Sequence, residues 1–205
     1  RVELPSRAPP LTWTLVTALA GYEWHLGNYE MAVVLLVAFH CLLRTGEFLS
    51  LTANDVSLGP ISGVISLKGT KTGVRNNSNE VVSVTCPLVL EFLRFLVLAR
   101  RDLGLTALPF WSSSPHQFRC RFRELCNLLG VSEHNFRPYS LRRGGATAYF
   151  QATHSMEAAL IRGRWGSSRV ARLYISDGLS YIPEIKMSRH TSGFIAKYNI
   201  EKLSQ

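Results

Sequence analysis

The chain has 205 residues, 46% of them hydrophobic and 18% charged, which is enough apolar material for one full core and excludes a disordered tail or a disulfide-stapled miniprotein. Its longest nearly unbroken apolar stretch, Met31 to Leu43, contains His40 and is about 13 residues long, short of the roughly 20 a membrane span requires. The formal net charge of +9 is concentrated. Residues 119–172 hold ten arginines and three acids with no lysine, against nine bases and eight acids in residues 1–118.

Pro9-Pro10 followed by Thr12 predicts a helix start, with Leu15, Leu19, Tyr22 and Leu26 on one apolar face. A second, largely buried helix is expected from about Tyr29 to Leu43. Thr45-Gly46 interrupts it, a short helical turn runs to Leu51, and Asn54-Asp55 marks a turn. Val64–Leu67 and Val81–Val84 are β-branched runs joined by a Gly-, Asn- and Lys-rich connection, the pattern of a hairpin with a long, mobile, basic tip. Helices resume at Leu88 to Arg101. After a loop at Trp111–Pro115, Phe118, Phe122, Leu125, Cys126 and Leu129 give another helical face. Three shorter helices are expected at Ser140–Gln151, Ser155–Ile161 and Ser167–Ile175, before a less periodic tail containing Pro183. The expected fold is mainly α with a small antiparallel β-sheet (α+β), in one domain.

Arginine without lysine favours paired, planar contacts to phosphate oxygens, so residues 119–172 point to nucleic acid ahead of acidic proteins or membrane headgroups. The four cysteines form no C-x-x-C pair and read as free thiols in a reducing, intracellular compartment. Because the chain opens at Arg1 and not at Met, it is expected to be a piece of a longer protein.

Individual residues sharpen the expectation. Arg44 ends an apolar helix, where a charge is costly unless something outside needs it. Glu47 shares its face and either orients the guanidinium or neutralises it in a structural ion pair. Lys68 and Lys71, beside Gly69 and Gly73, form either a basic finger or a merely solvated hairpin tip. In Pro138–Thr147, Ser140 is expected to cap a helix whose N-terminus presents Tyr139 and Arg142, with Arg143 next to them. Gly144 and Gly145 would admit either a packed element or a sugar–phosphate backbone. Trp165, between Gly163-Arg164 and Gly166, is either an N–H donor to phosphate or a packing residue. Tyr174 ends a short basic helix, and its phenol becomes a feasible nucleophile where arginines stabilise the phenolate.

Arg44-x-x-Glu47, a lysine 24 residues after Arg44, Leu141-Arg142, Trp165 a further 23 residues on and Tyr174 nine beyond that share order and spacing with one family. Taken together they resemble the catalytic domain of the tyrosine recombinases (phage integrases). The segment from Leu43 to Leu51 resembles that family's first arginine box. Lys68-Gly69-Thr70-Lys71 resembles its hairpin-lysine segment, with Lys68 in the catalytic slot and Lys71 as the fallback. The sequence departs from the pattern at Tyr139, where the family usually has histidine, and this puts activity in doubt, because a phenol is a poor base near neutral pH.

The resemblance implies a site-specific recombinase or integrase, of the kind found in mobile elements. Tyr174 would attack a phosphate of double-stranded DNA to give a 3′-phosphotyrosyl link and a free 5′-hydroxyl. Arg44 and Arg142 would clamp the phosphate, Trp165 would donate to it, and Lys68 would protonate the leaving oxygen. Tyr139 joins the catalytic set, with Glu47, Lys71 and Arg143 in support. It further implies no cofactor and no metal, homo-oligomers on DNA, no membrane and no small-molecule substrate, and location with DNA inside the cell. Residues 1–205 would be one catalytic domain, its tail from about 181 docking on a neighbouring protomer and the family's N-terminal DNA-clamping domain missing. The alternatives are a catalytically impaired, recombinase-derived DNA-binding module and a type IB topoisomerase-like strand transferase.

Overall fold

A computed structural model describes residues 8–68 and 80–203. Helix α1 (Trp13–His25) starts where Thr12 Oγ1 accepts the Leu15 N–H, the cap expected from Pro-Pro-x-Thr. Leu15 and Leu19 are buried, but Leu26 lies past the helix end and is 49% exposed, so the predicted apolar face is one residue too long. Helix α2 (Tyr29–His40) is buried on every side from Met31 to Phe39 and forms the centre of the molecule, packed by α1 and later helices. It stops at His40, short of the Leu43 expected, because Leu42 turns into the left-handed region (φ 51°) and its N–H bonds back to Phe39 O.

Helix α3 (Thr45–Leu49) and a 3₁₀ turn (Ala53–Asp55) lead into a three-stranded antiparallel sheet: β1 (Val56–Leu58), β2 (Gly63–Leu67) and β3 (Glu80–Val84), in that order. The predicted hairpin is β2–β3, with Ile65 opposite Val82 and Leu67 opposite Glu80. Strand β1 was not foreseen; its three residues are too few for alternation to register. The hairpin tip, with Gly69, Lys71 and Gly73, lies outside the described residues.

Helix α4 (Pro87–Asp102) has proline in its first turn, where the missing N–H costs nothing. Helix α5 (Pro115–Leu129) absorbs Pro115, which was expected in the loop, through a Ser114–Gln117 capping box. Then come α6 (Tyr139–Thr153), α7 (Met156–Gly163), α8 (Ser168–Tyr181) and α9 (Arg189–Tyr198). Helix α8 runs six residues beyond its predicted end at Ile175. Ser140 is not the cap of α6: it lies inside the first turn, and its hydroxyl accepts the Arg137 N–H at 3.0 Å.

Helix α6 is the keystone for the site. A Cβ on Gly144 would fall 1.9 Å from Leu11 O, and one on Gly145 2.1 Å from Phe39 O. These glycines therefore admit the protein's own backbone, at the entry to α1 and the end of α2, and not a sugar–phosphate chain. The tail also packs within the chain: Tyr22 on α1 meets the rings of Phe194 and Tyr198, and Ile200 is buried.

Candidate active site

The site forms where the C-terminal ends of two helices meet. The last carbonyls of a helix have no partner within it and carry its negative dipole end. At the end of α2, three successive carbonyls each accept an arginine. His40 O takes Arg162 Nη2 at 2.9 Å, Cys41 O takes Arg164 Nη1 at 3.4 Å, and Leu42 O takes Arg142 Nη1. At the end of α7, Gly163 O accepts Arg142 Nη2 at 2.6 Å and Arg164 O accepts Arg44 Nη2 at 3.5 Å. Arg164 itself is left-handed (φ 54°), a conformation that costs about 1 kcal/mol or more without glycine.

Two carboxylates balance this charge. Glu47 takes Arg44 Nη1 on one oxygen and Arg164 Nη2 on the other, both at 2.6 Å, and its side chain is 9% exposed. Glu80, on β3, lies 3.2 Å from Arg164 Nε and 3.9 Å from Arg44. Glu47 thus does both things the sequence left open: it neutralises part of the cluster and fixes where Arg44 points. Arg164 is the site residue that sequence reasoning missed. The only signal for it was an arginine beside Trp165, and nothing local revealed that it would turn inward.

Arg142 is fully buried beneath the indole of Trp165, its guanidinium carbon 4.9 Å from the ring centroid. Burial, then the positive charges of Arg164 and Arg44, push its pKa down to about 10, still charged at neutral pH. A Cβ on Gly163 would collide with Trp165, so that glycine makes the indole's seat. The indole N–H has no acceptor among the described residues, and Trp165 packs edge-on to Tyr174 at 5.6 Å.

The Tyr174 hydroxyl lies 2.5 Å from the hydroxyl of Tyr139, and Arg143 sits 5.5 Å over the Tyr174 ring. Arg143 is anchored by Ala8 O at 2.5 Å and Asp177 at 2.9 Å. Burial, reinforced by the Tyr174 hydrogen bond, pushes Tyr139 up to about 12, so it is a neutral phenol at pH 7. Arg44, Glu47, Tyr139, Arg142, Arg143, Trp165 and Tyr174 therefore converge. Lys68 does not join them: its ammonium is paired with Asp55 at 2.6 Å. Lys71 lies outside the described residues. His134 bonds Tyr181 at 2.8 Å.

The arginine-rich segment splits into two jobs. Arg121, Arg142, Arg143, Arg162 and Arg164 are staples within the protein, Arg121 holding buried Glu23. Arg119, Arg123, Arg137, Arg169 and Arg172 are exposed and have no ion pair among the described residues. Charge counting alone therefore overstated the surface offered to a polyanion.

The fold is similar to that of solved recombinase structures. A XerH site-specific recombinase bound to a palindromic difH substrate, in a post-cleavage complex, superposes with a TM-score of 0.65 at 15% identity, covering 88% of this chain and 54% of that one. The same recombinase in a pre-cleavage complex gives 0.65 at 18% identity, covering 90% and 56%. XerA recombinase gives 0.62 at 16%, covering 92% and 68%. This chain spans little more than half the length of the XerH chains. No protein-family model matches the sequence, and no curated protein is significantly similar to it. At these identities the likeness establishes the architecture, and the fold is that of a tyrosine-recombinase catalytic domain.

Proposed function

We propose that this chain is the strand-breaking and rejoining domain of a site-specific DNA recombinase or integrase, with Tyr174 as nucleophile. The observation that carries the reading is the convergence of a phenol with Arg142, Arg143, Trp165 and a second phenol, from segments up to 35 residues apart. Tyr174 Oη attacks the scissile phosphorus in line. The Oη–P bond forms, the P–O5′ bond breaks, the phenolic proton leaves to solvent and the 5′ oxygen takes a proton from Lys68. An incoming 5′-hydroxyl reverses each step.

Arg44 and Arg142 stabilise charge on the non-bridging oxygens, and Trp165 offers its free N–H. Arg142 lies beneath the Trp165 ring, which places the indole N–H and the guanidinium side by side for one phosphate. Tyr139 acts through its hydroxyl, as a donor that stabilises the Tyr174 phenolate. The double-stranded DNA backbone is gripped by the exposed arginines, and the protein works as a homo-oligomer on DNA inside the cell.

The test is incubation of the protein with nicked suicide duplexes followed by denaturing electrophoresis. A covalent adduct that is lost in Tyr174→Phe and kept in Tyr181→Phe supports the reading; the opposite pattern reassigns the nucleophile. A second reading, a recombinase-derived DNA-binding module without activity, is favoured by the phenol in the histidine slot. It predicts salt-sensitive DNA binding with no adduct.

A further inference from the structure

Lys68 stands apart from the arginines and tyrosines, on a contact of its own. Its side chain is 72% exposed, yet its ammonium lies 2.6 Å from Asp55 Oδ1, on a carboxylate that is 9% exposed. That carboxylate is rigidly held: Oδ2 accepts the Thr52 N–H at 3.0 Å and the Thr52 hydroxyl at 2.6 Å, closing the 3₁₀ turn after α3. One oxygen is thus committed to the turn, and the other faces the lysine. Burial raises the Asp55 carboxyl, but Lys68 and Thr52 outweigh it and leave it lowered, ionised at neutral pH. Asp55 and Lys68 line a hollow of about 450 Å³ together with Glu47, the carboxylate that holds Arg44.

We infer that Asp55 is a positioning residue for the general acid, holding the Lys68 ammonium in the hollow that Glu47 also lines, next to the Glu47–Arg44 unit, so that it meets the leaving 5′ oxygen of a bound duplex. This rests on the strand-transfer reading above. A lysine on a four-carbon stem loses time and entropy in search of one geometry, and a buried, immobile anion reduces that search. In the cleavage step Lys68 Nζ gives its proton to O5′ as the P–O5′ bond breaks, and is reprotonated by water. Asp55 stays ionised throughout and touches no reacting atom.

The inference separates from a structural role by the chemistry of the leaving group. A 5′-bridging phosphorothiolate leaves as a thiolate and needs no proton. The full-length natural protein is given nicked duplexes tiled from the DNA flanking its coding sequence, with oxygen or sulfur at the scissile 5′ position. On the oxygen substrate, Asp55→Asn should slow single-turnover adduct formation on the order of tenfold, part of the 10²–10⁴-fold available to general acid catalysis. On the sulfur substrate it should match the unaltered protein. Lys68→Ala should show the same pattern with a larger defect. Thr52→Val, which loosens Asp55 without removing its charge, should show a smaller one and guards against misfolding of Asp55→Asn. Equal slowing on both substrates, or no slowing on oxygen, overturns the inference. An unaltered protein that gives no adduct on any duplex overturns the strand-transfer reading itself.

Discussion

Replacing Glu47 by alanine removes the group that joins Arg44 to Arg164. Its carboxylate takes the Arg44 N–H at 2.7 Å, Arg44 Nη1 at 2.6 Å and Arg164 Nη2 at 2.6 Å. Arg164, only 6% exposed, would keep Glu80 at 3.2 Å as its remaining carboxylate. Arg142 would lose the nearby anion that favours its charged form. Truncating one side of a buried ion pair costs on the order of 3–5 kcal/mol, because the other charge stays behind. Residual pairing with Glu80 places Glu47→Ala at the lower end, about 3 kcal/mol. Denaturant unfolding followed by tryptophan fluorescence measures it, as a shift of midpoint at unchanged slope. Removing the stranded cation as well, in Glu47→Ala with Arg164→Met, should recover much of the loss and give a coupling of about 1–3 kcal/mol. A cost below about 0.5 kcal/mol, or a double variant whose cost is the sum of the singles, would refute the shared-carboxylate reasoning.

Tyr139→His should raise the rate of adduct formation by supplying a base, and Tyr139→Phe should lower it; a loss in the histidine variant means that the phenol has a role histidine cannot fill. Gly144→Ala would place a methyl 1.9 Å from Leu11 O and should destabilise the fold by about 1–3 kcal/mol through overpacking, read by thermal unfolding. His40 accepts the N–H groups of Thr85 and Cys86 on Nε2, and burial followed by Arg162 lowers its pKa to about 4. The unfolded chain therefore binds its proton first, so about 3 kcal/mol present above pH 6.5 should be lost as pH falls toward 4, a slope that His40→Gln should remove from urea-unfolding curves. Finally, Arg172→Gln should reduce the salt slope of DNA binding by roughly 0.9 if it contacts one phosphate, whereas Arg121→Gln should leave the slope unchanged and cost stability.

Strong periodicity made most helices legible: the apolar run from Met31 to Phe39 and the face from Phe118 to Leu129 could only pay for themselves buried. Boundaries failed where tertiary contacts set them. Nothing near Leu42 or Arg164 in sequence announces a left-handed residue, and the carbonyl of each accepts an arginine that arrives from elsewhere. Of the site, the residue types and spacings of Arg44, Arg142, Trp165 and Tyr174 were readable. The direction each side chain takes was not. Arg121 and Arg172 look alike in the sequence, but one staples buried Glu23 and the other faces solvent. Asp55 read as a turn residue and is one, but its second oxygen and its lysine are a product of β2 lying beside the 3₁₀ turn.

The way these arginines are held bears on what they can do. A carboxylate fixes a guanidinium but cancels its charge, and a site meant for phosphate cannot pair every arginine with an acid. Backbone carbonyls at a helix C-terminus fix the same group through partial charges and leave its formal charge intact. Among the described residues the Arg142 guanidinium is hydrogen-bonded by Leu42 O and Gly163 O and has no carboxylate on it, while Arg164 takes both Glu47 and Glu80. The two arginines thus divide the labour: Arg164 absorbs the acids, and Arg142 keeps a whole positive charge in a nearly dry place. Burial and neighbouring cations lower its pKa to about 10, so under the proposed function a phosphate anion would gain more from it than from an exposed arginine. The two left-handed residues, Leu42 and Arg164, are themselves among those whose carbonyls accept a guanidinium, so the strained positions lie within the same arrangement.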